Sequence, residues 1–490
     1  MGRLSLATLP SLPAKVARPA YDPAGVTVGI LHLGLGAFHR AHQAIYTDSV
    51  LARDPRWGIL GASLKTPRAT AGLAEQDGLY SVLFKGAQGT TARVIGSLRE
   101  IRFAGADRAG LIARFADPNI AIVTLTVTEK GYCHDPATGE LDRAHADIAH
   151  DLAHPEAPVS AIGMLAAGFA ARRSANAGPI TIVCCDNLPH NGRTVEGIVR
   201  AFAAERDPAL AAWITAHVTF PNTMVDRIVP ATTDADVAEA ARLLGVDDAA
   251  PVAAETFGQW VIEDRFAGAR PAWEDAGAEL AADVVPYETM KLRLLNGSHS
   301  ALAYLGFLMG HPTVWQAAAD PVLGAFVERM MAEETAPTLA APPGVNLADY
   351  RARLLQRFRN PALPHRTQQI AMDGSQKLPQ RLLNPVRDRR AAGEPYPRLA
   401  LAVAAWIRYA SGVDEQGQPI VVSDPMAPTF ERIARETGRD PAAFANAMLD
   451  QKAVFGDLAA DSAFRAAVIA PVLRLFKDGA RSTLAGAAPR

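Results

Sequence analysis

Cysteine is scarce in this 490-residue chain, which carries only Cys133, Cys184 and Cys185. Three such residues, two of them adjacent within an apolar run, supply neither a disulfide framework nor zinc-ligand spacing, so a reducing compartment and simple packing roles are expected. No stretch approaches 18 uninterrupted apolar residues, and Met1-Gly-Arg-Leu-Ser-Leu6 lacks the apolar core of a signal peptide. The reading is a cytoplasmic protein without a membrane partner. An excess of charge of one sign is also missing, because 49 Lys and Arg face 51 Asp and Glu. That balance excludes a global footprint for nucleic acid or an anionic membrane, and any anionic ligand must be recognised locally. Internal repeats and low-complexity segments are absent as well.

What is present is an ordinary globular composition, 49% hydrophobic and 20% charged, over a length that suggests two large domains or three small ones. Ahead of Val26 the chain holds Pro10, Pro13, Pro19 and Pro23 without sustained periodicity, and reads as an arm laid over the fold. Val26 to Leu33 then suits a buried parallel strand. It runs at once into Gly34-Leu-Gly36, with a helical pattern starting near His39. Strand, glycine turn and helix form the context of a dinucleotide fingerprint, in which glycines let the backbone approach a pyrophosphate at a helix N-terminus. His39 stands where the third glycine of that pattern belongs, so a purely structural strand-to-helix turn is the competing reading.

Further strands are expected over Trp57 to Leu64 and Ile120 to Thr128, with Leu79 to Phe84 and Ala92 to Ile101 alternating like a hairpin. A helix from Ala161 to Arg172 leads into a strand ending in Asp186 and Asn187, and Val218 to Asp226 reads as another strand with a polar end. In open parallel sheets the carboxyl ends of strands face the ligand crevice, which makes polar residues there candidates for a site. Beyond residue 285 helical periodicity takes over, through Val322 to Glu334, Leu347 to Phe358, Arg398 to Tyr409, Pro428 to Glu436 and Phe464 to Phe476. The predicted fold is α/β, with a Rossmann-type dinucleotide-binding domain over residues 1–285 and a mostly α-helical domain over 286–490.

The stretch that organises the chain runs from Tyr287 to His311. Wound as an α-helix at about 100° per residue, it sets Glu288, Lys291, Asn296 and His299 within roughly 140° of one another. Leu292, Leu295 and Leu302 give it apolar surface to bury, so the polar face is expected to line a pocket. Reaching solvent is the alternative. An ammonium removed from water has its pKa lowered and can serve as a general base. A second unusual stretch, His365 to Arg381, packs polar and basic groups around an Asp373-Gly-Ser375 turn. It reads either as a solvated loop or as a place where Arg366, Lys377 and Arg381 hold a carboxylate by charge-assisted hydrogen bonds.

Several blocks of sequence resemble the polyol-specific long-chain dehydrogenases and reductases, the family that includes the mannitol dehydrogenases. They are Gly34-Leu-Gly-Ala-Phe-His-Arg-Ala-His-Gln43, Thr126-Val-Thr-Glu-Lys-Gly-Tyr-Cys133, Cys185-Asp-Asn187, Thr223-Met-Val-Asp-Arg-Ile-Val-Pro230, Lys291-Leu-Arg-Leu-Leu-Asn-Gly-Ser-His299 and the His365 to Arg381 segment. The resemblance runs over nearly the whole chain. It implies metal-independent hydride transfer between NAD and a secondary alcohol, with Lys291 as general acid/base. Asn187 and Asn296 would hydrogen-bond the oxygen where charge develops, His299 would orient substrate and lysine, and Glu288 would relay protons. Gly34, Gly36, Ala37 and Phe38 match the dinucleotide turn; Glu129, Asn187, Val225 and Asp226 match positions near the cofactor.

One family-wide expectation meets a departure, because the acid usual after the second Rossmann strand is absent and the chain reads Ser63-Leu-Lys65-Thr-Pro-Arg68. A basic residue there tolerates a 2′-phosphate, so NADP stands beside NAD. Lys130, Arg366 and Lys377 imply a sugar-acid substrate, with a neutral polyol as the alternative. The resemblance leaves the oligomeric state open, a monomer included. A metal-dependent dehydrogenase is disfavoured, since His32, His39 and His42 lack an acidic or cysteine partner at ligand spacing.

Overall fold

The computed structural model describes residues 2–486 apart from 136, 137 and 439, and leaves the side chains of Arg68 and Ala69 outside the description. The chain divides into two compact units, Met1–Val285 and Pro286–Arg490. Among the described residues no helix is long and apolar enough to cross a membrane.

In the first unit, β1 (Val28–Leu33), β2 (Gly58–Ser63), β3 (Tyr80–Gly86), β4 (Gly89–Ile95), β5 (Leu98–Phe103), β6 (Ile122–Leu125), β7 (Ile180–Cys184) and β8 (Val218–Thr219) come first in chain order. Six of these make one sheet in the order β5-β2-β1-β6-β7-β8, all pairs parallel, the order of a doubly wound dinucleotide fold. Side-chain alternation explains why β1 is apolar throughout. Leu31 and Leu33 enter the core on one face with Val123 and Leu125, whereas Ile30 enters the core on the other with Ile59, Ile122 and Val183. Helices cover both faces, so neither set of side chains meets water.

Two expected strands break in the middle. Ala92 to Ile101 is not one hairpin arm: β3 and β4 pair antiparallel, but the chain leaves that pairing at Gly96 and β5 joins the parallel sheet beside β2. Local bonds fix the break, since the Gly96 amide donates to Asp48 Oδ1 at 2.8 Å and Ser97 Oγ donates to the Ala44 carbonyl at 2.9 Å. Val218 to Asp226 also divides. Pro221 has no N–H to give a ladder, so β8 stops after two residues and β9 (Thr223–Asp226) turns into a separate three-stranded sheet. Its neighbours there are β11 (Gln259–Glu263) and β12 (Glu279–Ala281), while β10 (Val252–Glu255) extends the β3–β4 hairpin. The proline-bearing N-terminal arm buries Leu4, Leu9, Leu12 and Val16 against Leu83, Val94, Leu243 and Leu244.

The second unit contains no strand among its described residues. Its core gathers Leu294, Leu302, Leu305, Leu354, Leu383, Trp406, Phe455 and Val472, among others, around the helix Pro397–Ala410. Three turns within its helices widen to π geometry: Lys291–Asn296, Met330–Thr335 and Pro379–Leu383. In the last of these, Pro379 lacks the N–H and would crowd the preceding turn of a regular α-helix, which the wider turn relieves.

The organising stretch is therefore not one uniform α-helix. It comprises α-helix Val285–Met290, a π turn over Lys291–Asn296 and α-helix Gly297–Leu308. A π residue advances by less than 100°, so the angular estimate made for a regular helix does not hold across the turn. Leu292 is only half-buried, and Leu294 takes the core position instead. Packing accounts for the entry into the second helix. A Cβ at Gly297 would lie 2.8 Å from the backbone carbonyl of Arg381, so only glycine lets the two π-bearing segments approach this closely.

Candidate functional site

The glycine turn after β1 is held from two sides. Gly34 has φ +98°, a conformation that disfavours a side chain, and a Cβ there would collide with the Thr126 carbonyl. The amides of Gly34 and Leu35 both donate to the Ala62 carbonyl at the end of β2, at 2.9 and 3.0 Å. Gly36, by contrast, has open space where its Cβ would stand, with only the Gly34 carbonyl in ordinary contact. The helix Ala37–Ala41 then begins, its first amides without intrahelical acceptors. That is a cradle a dinucleotide's phosphates fit, and Phe38 at its edge stacks on His42 with centroids 5.1 Å apart.

His32, in the middle of β1, ties this turn to β6. Its Nδ1 lies 2.8 Å from Thr124 Oγ1 and its Nε2 lies 3.1 Å from Thr126 Oγ1. Thr126 spends its own hydroxyl proton on the Gly34 carbonyl at 2.9 Å. It follows that His32 Nε2 donates to Thr126 and Nδ1 accepts from Thr124. Burial pushes the imidazole down to about 3, so it is neutral at ordinary pH. His39, the residue in the third glycine's place, stacks on His32 at 3.4 Å and packs there instead of facing the turn.

At the carboxyl ends of β6 and β7 the organising residue is Asp186. Its carboxylate accepts from the Val127 amide at 2.8 Å, the Thr128 amide at 3.2 Å and the Tyr132 hydroxyl at 2.7 Å. Desolvation raises it to about 6, with the bonds from Tyr132 and Val127 acting the other way. The short turn Glu129–Tyr132 is thereby fastened to the end of β7, where Asn187 follows. Glu129, Lys130 and Asn187 are exposed; Val225 and Asp226 are buried in β9. Asn191 completes the clamp by donating to the carbonyls of Cys184, Asp186 and Thr223 at 3.0–3.1 Å.

In the second unit, Lys291, the first residue of the π turn, is 5% exposed, and His299, in the helix that follows it, is 6% exposed. Glu288 and Asn296 are half-buried. On this helical run three buried atoms have no hydrogen-bond partner among the described residues, Asn296 Oδ1, Ser298 Oγ and His299 Nε2. Buried polar atoms are nearly always paired, so this deficit makes the run a candidate for binding a polar molecule. The His299 imidazole is held far below its ordinary pKa, by burial first and then by His365, Arg357, Arg381 and Lys291. A buried amine, a neutral imidazole and an amide oxygen can together exchange a proton with a small hydroxyl or carbonyl compound and hydrogen-bond it.

Family models for the Rossmann domain and the C-terminal domain of mannitol dehydrogenase match residues 28–275 and 283–475. The chain belongs to the mannitol dehydrogenase family. It is 47% identical to the D-mannonate oxidoreductase of Escherichia coli over 96% of this chain and 98% of that protein. It is 41% identical to a mannitol 2-dehydrogenase of Phaeosphaeria nodorum over 95% of this chain and 82% of that one. The solved Pseudomonas fluorescens mannitol 2-dehydrogenase, a ternary complex with NAD and D-mannitol, superposes with a TM-score of 0.89 at 40% identity, covering 99% of both chains. An N-terminal Rossmann-type sheet followed by a helical domain is thus the fold of a mannitol dehydrogenase family oxidoreductase.

Within this family member the His365 to Arg381 segment is helical in pieces and not a loop. Helix Thr367–Ile370 is followed by Asp373 in the left-handed region, then by helix Gly374–Leu378 and the π turn. Arg366 is exposed. Lys377 Nζ donates to the Met372 carbonyl at 2.7 Å and stands 4.0 Å from Asp373. Arg381 reaches the organising helix, donating to Ser300 Oγ at 3.3 Å. Near the end of β2, Lys65 lies 3.6 Å from Asp147, whereas the side chain of Arg68 lies outside the described residues.

Sequence reasoning named Asp186 only as half of a polar pair at a strand end, without a role, and passed over Asn191. A helix-spacing search could not find His365 beside His299, since the two rings meet at 5.8 Å from residues far apart in the chain. It also missed Cys133, His145 and Asp147, whose ligand atoms all lie within 4.8 Å of one another.

Proposed function

We propose that this chain interconverts D-mannonate and D-fructuronate by NAD-dependent hydride transfer, as a fructuronate reductase, with Lys291 as its general acid/base. The observation that carries the reading is a buried lysine on the same helical run as the unpartnered Asn296 Oδ1 and His299 Nε2. Gly34, Gly36, Ala37 and Phe38 would hold the dinucleotide's phosphates, and Glu129, Val225 and Asp226 match family positions near its ribose and nicotinamide. When bound, the nicotinamide supplies the hydride acceptor or donor.

In the oxidation direction, neutral Lys291 takes the hydroxyl proton as the carbinol C–H leaves with its electron pair as hydride, and the carbonyl forms. In reduction the protonated Lys291 gives that proton to the new alkoxide oxygen. Asn187 and Asn296 donate amide hydrogens to the oxygen as its charge grows, and their fixed dipoles cost no reorganisation. His299 orients the substrate and the amine, and Glu288, one turn before Lys291, passes the proton to water. The Lys130 loop and the Arg366 and Lys377 segment supply the positive charge that a sugar acid requires and a polyol does not.

The identity to the E. coli D-mannonate oxidoreductase supports the sugar acid. A second reading, mannitol 2-dehydrogenase, is supported by the likeness to the P. fluorescens enzyme bound to NAD and D-mannitol. Initial rates with NADH on D-fructuronate and D-fructose separate the two. Efficiency far higher on the uronate is expected, and equal efficiency on fructose would replace the first reading with the second. Because Lys65 stands where an acid is usual, NADPH belongs in the same assay.

A further inference from the structure

The acid that NAD-selective Rossmann domains carry after the second strand is missing where Lys65 stands, but the fold brings one there from another part of the chain. Lys65 Nζ lies 3.6 Å from Asp147 Oδ2, in the first turn of helix Ala146–Ala153. Sheet order accounts for the meeting. Strands β2 and β6 flank β1. Lys65 follows β2 and Asp147 belongs to the first α-helix after β6, so the pair joins segments that leave both neighbours of the strand bearing the glycine turn. The Lys65 turn is also fastened beside that cradle, since the Ala62 carbonyl accepts from the Gly34 and Leu35 amides and Ser63 Oγ donates to the Thr66 carbonyl at 2.6 Å.

The two partners are not held alike. The lysine side chain is 69% exposed and that of Asp147 31%. A carboxylate in a first turn is favoured by the helix dipole, and this helix is anchored. Ile148 is fully buried, and Asp151 accepts from the Val159 amide, the Ser160 amide and Ser160 Oγ at 2.6–2.9 Å. The acid is thus the fixed charge and the lysine the mobile one. As a brace, an ion pair this exposed is worth little. Its consequence is for a charge brought beside it. A phosphate monoester carries about −1.5 to −2 at neutral pH, so a 2′-phosphate is repelled by Asp147 and has to draw Lys65 away from it. A 2′-hydroxyl brings no such charge and can donate to a carboxylate.

We propose that Asp147 supplies the negative charge that the end of β2 lacks and, by engaging Lys65, selects NAD over NADP. The assignment rests on the dinucleotide reading given above and names its determinant.

The test is the dissociation constants of NADH and NADPH, read by fluorescence titration without substrate, for wild type, Asp147→Asn, Asp147→Glu and the double variant Asp147→Asn with Lys65→Gln. Wild type should bind NADH the more tightly. Asp147→Asn should tighten NADPH about 10-fold, the low end of what a charge-assisted contact contributes, while NADH changes little. Asp147→Glu should keep the wild-type ratio, and removing Lys65 as well should cancel the gain, because the lysine is what the phosphate would recruit. A wild type that bound NADPH as tightly as NADH would overturn the assignment. So would an unchanged ratio in Asp147→Asn, or parallel weakening of both coenzymes, which would mark Asp147 as a helix brace. A wild type that bound neither coenzyme would overturn the dinucleotide reading itself, and the determinant with it. Should Asp147→Asn fail to fold, Lys65→Gln alone decides: it leaves the acid unopposed, so NADPH should weaken further, and NADPH binding that held or tightened would overturn the proposal.

Discussion

Two helices, one in each unit, bury a strongly polar side chain, and they treat it in opposite ways. In helix Ala161–Ser174, Arg172 is 1% exposed and its guanidinium donates to the carbonyls of Phe115, Ile120, Ala177, Gly178 and Pro179. In helix Gly297–Leu308, His299 is nearly as buried and leaves Nε2 without a partner. Arg172 gathers the carbonyls of a turn that would otherwise be orphaned, and so serves the fold. His299 keeps capacity in reserve. Burial of a polar group therefore says little about function; the hydrogen-bond balance around it separates scaffold from site.

The comparison breaks most visibly at Lys291. Lys291→Ala should lower turnover by about 100- to 10,000-fold, the usual span for general acid/base catalysis, while NADH binding stays close to wild type. Steady-state rates and NADH fluorescence titration read the two effects separately. An unchanged turnover number would remove the lysine from the chemistry, and joint loss of NADH binding would point to a structural role.

Arg172→Met is the matching perturbation on the scaffold side. It strips donors from several buried carbonyls, so stability to urea should drop by at least about 3 kcal/mol. The folded fraction should nevertheless turn over at the wild-type rate. A loss of turnover in excess of the loss of folded protein would erase the distinction drawn between the two helices.

How much of this was legible in the sequence varies with the range of the cause. β1 could be read because its periodicity is local, and Leu31 and Leu33 need only alternate with Ile30 to serve two cores. The breaks at Gly96 and Pro221 carry local signals, glycine and proline, but tertiary bonds to Asp48 and Ala44 decide where the first falls. The π turn over Lys291–Asn296 has no such signal. It belongs with the close approach of Gly297 to the Arg381 backbone, and no spacing rule reports that contact. For the same reason the cations of the second unit could be listed from the sequence, but their sorting into Arg381 beside His299 and Arg366 on the surface could not.

Asp186 sharpens the scaffold side through pH. Its folded pKa, about 6, is raised above the ordinary carboxylate value of 3.8. Folding therefore favours its protonated form: the contribution is fully present below about 3.8 and is lost as pH rises through about 6. Asp186→Asn removes the titration and puts an amide against the Val127 or Thr128 N–H, so the variant should be less stable overall. The gap should be widest near pH 4 and narrow toward pH 7. Melting temperatures measured across that range check it, and a gap that widens with pH would mean that the buried carboxylate is net stabilised as an anion.

The smallest expected effect is that of a chelator. Proton transfer is assigned to Lys291 and charge stabilisation to Asn187 and Asn296, so no step of the reaction needs a Lewis acid. Among the described residues the nearest thing to a ligand set, Cys133, His145 and Asp147, stands instead beside the Lys65 ammonium, which is 3.6 Å from Asp147 and competes for its carboxylate. Burial also pushes the Cys133 thiol up to about 11, so at neutral pH an ion would first have to displace its proton. Dialysis against 1,10-phenanthroline should leave turnover with NADH unchanged. Activity that fell and returned with zinc alone would shift the chemistry from the amine to a metal. A drop in melting temperature without a drop in turnover would instead place an ion at the Cys133 group as a brace for the loop after β6, and leave the comparison of the two helices intact.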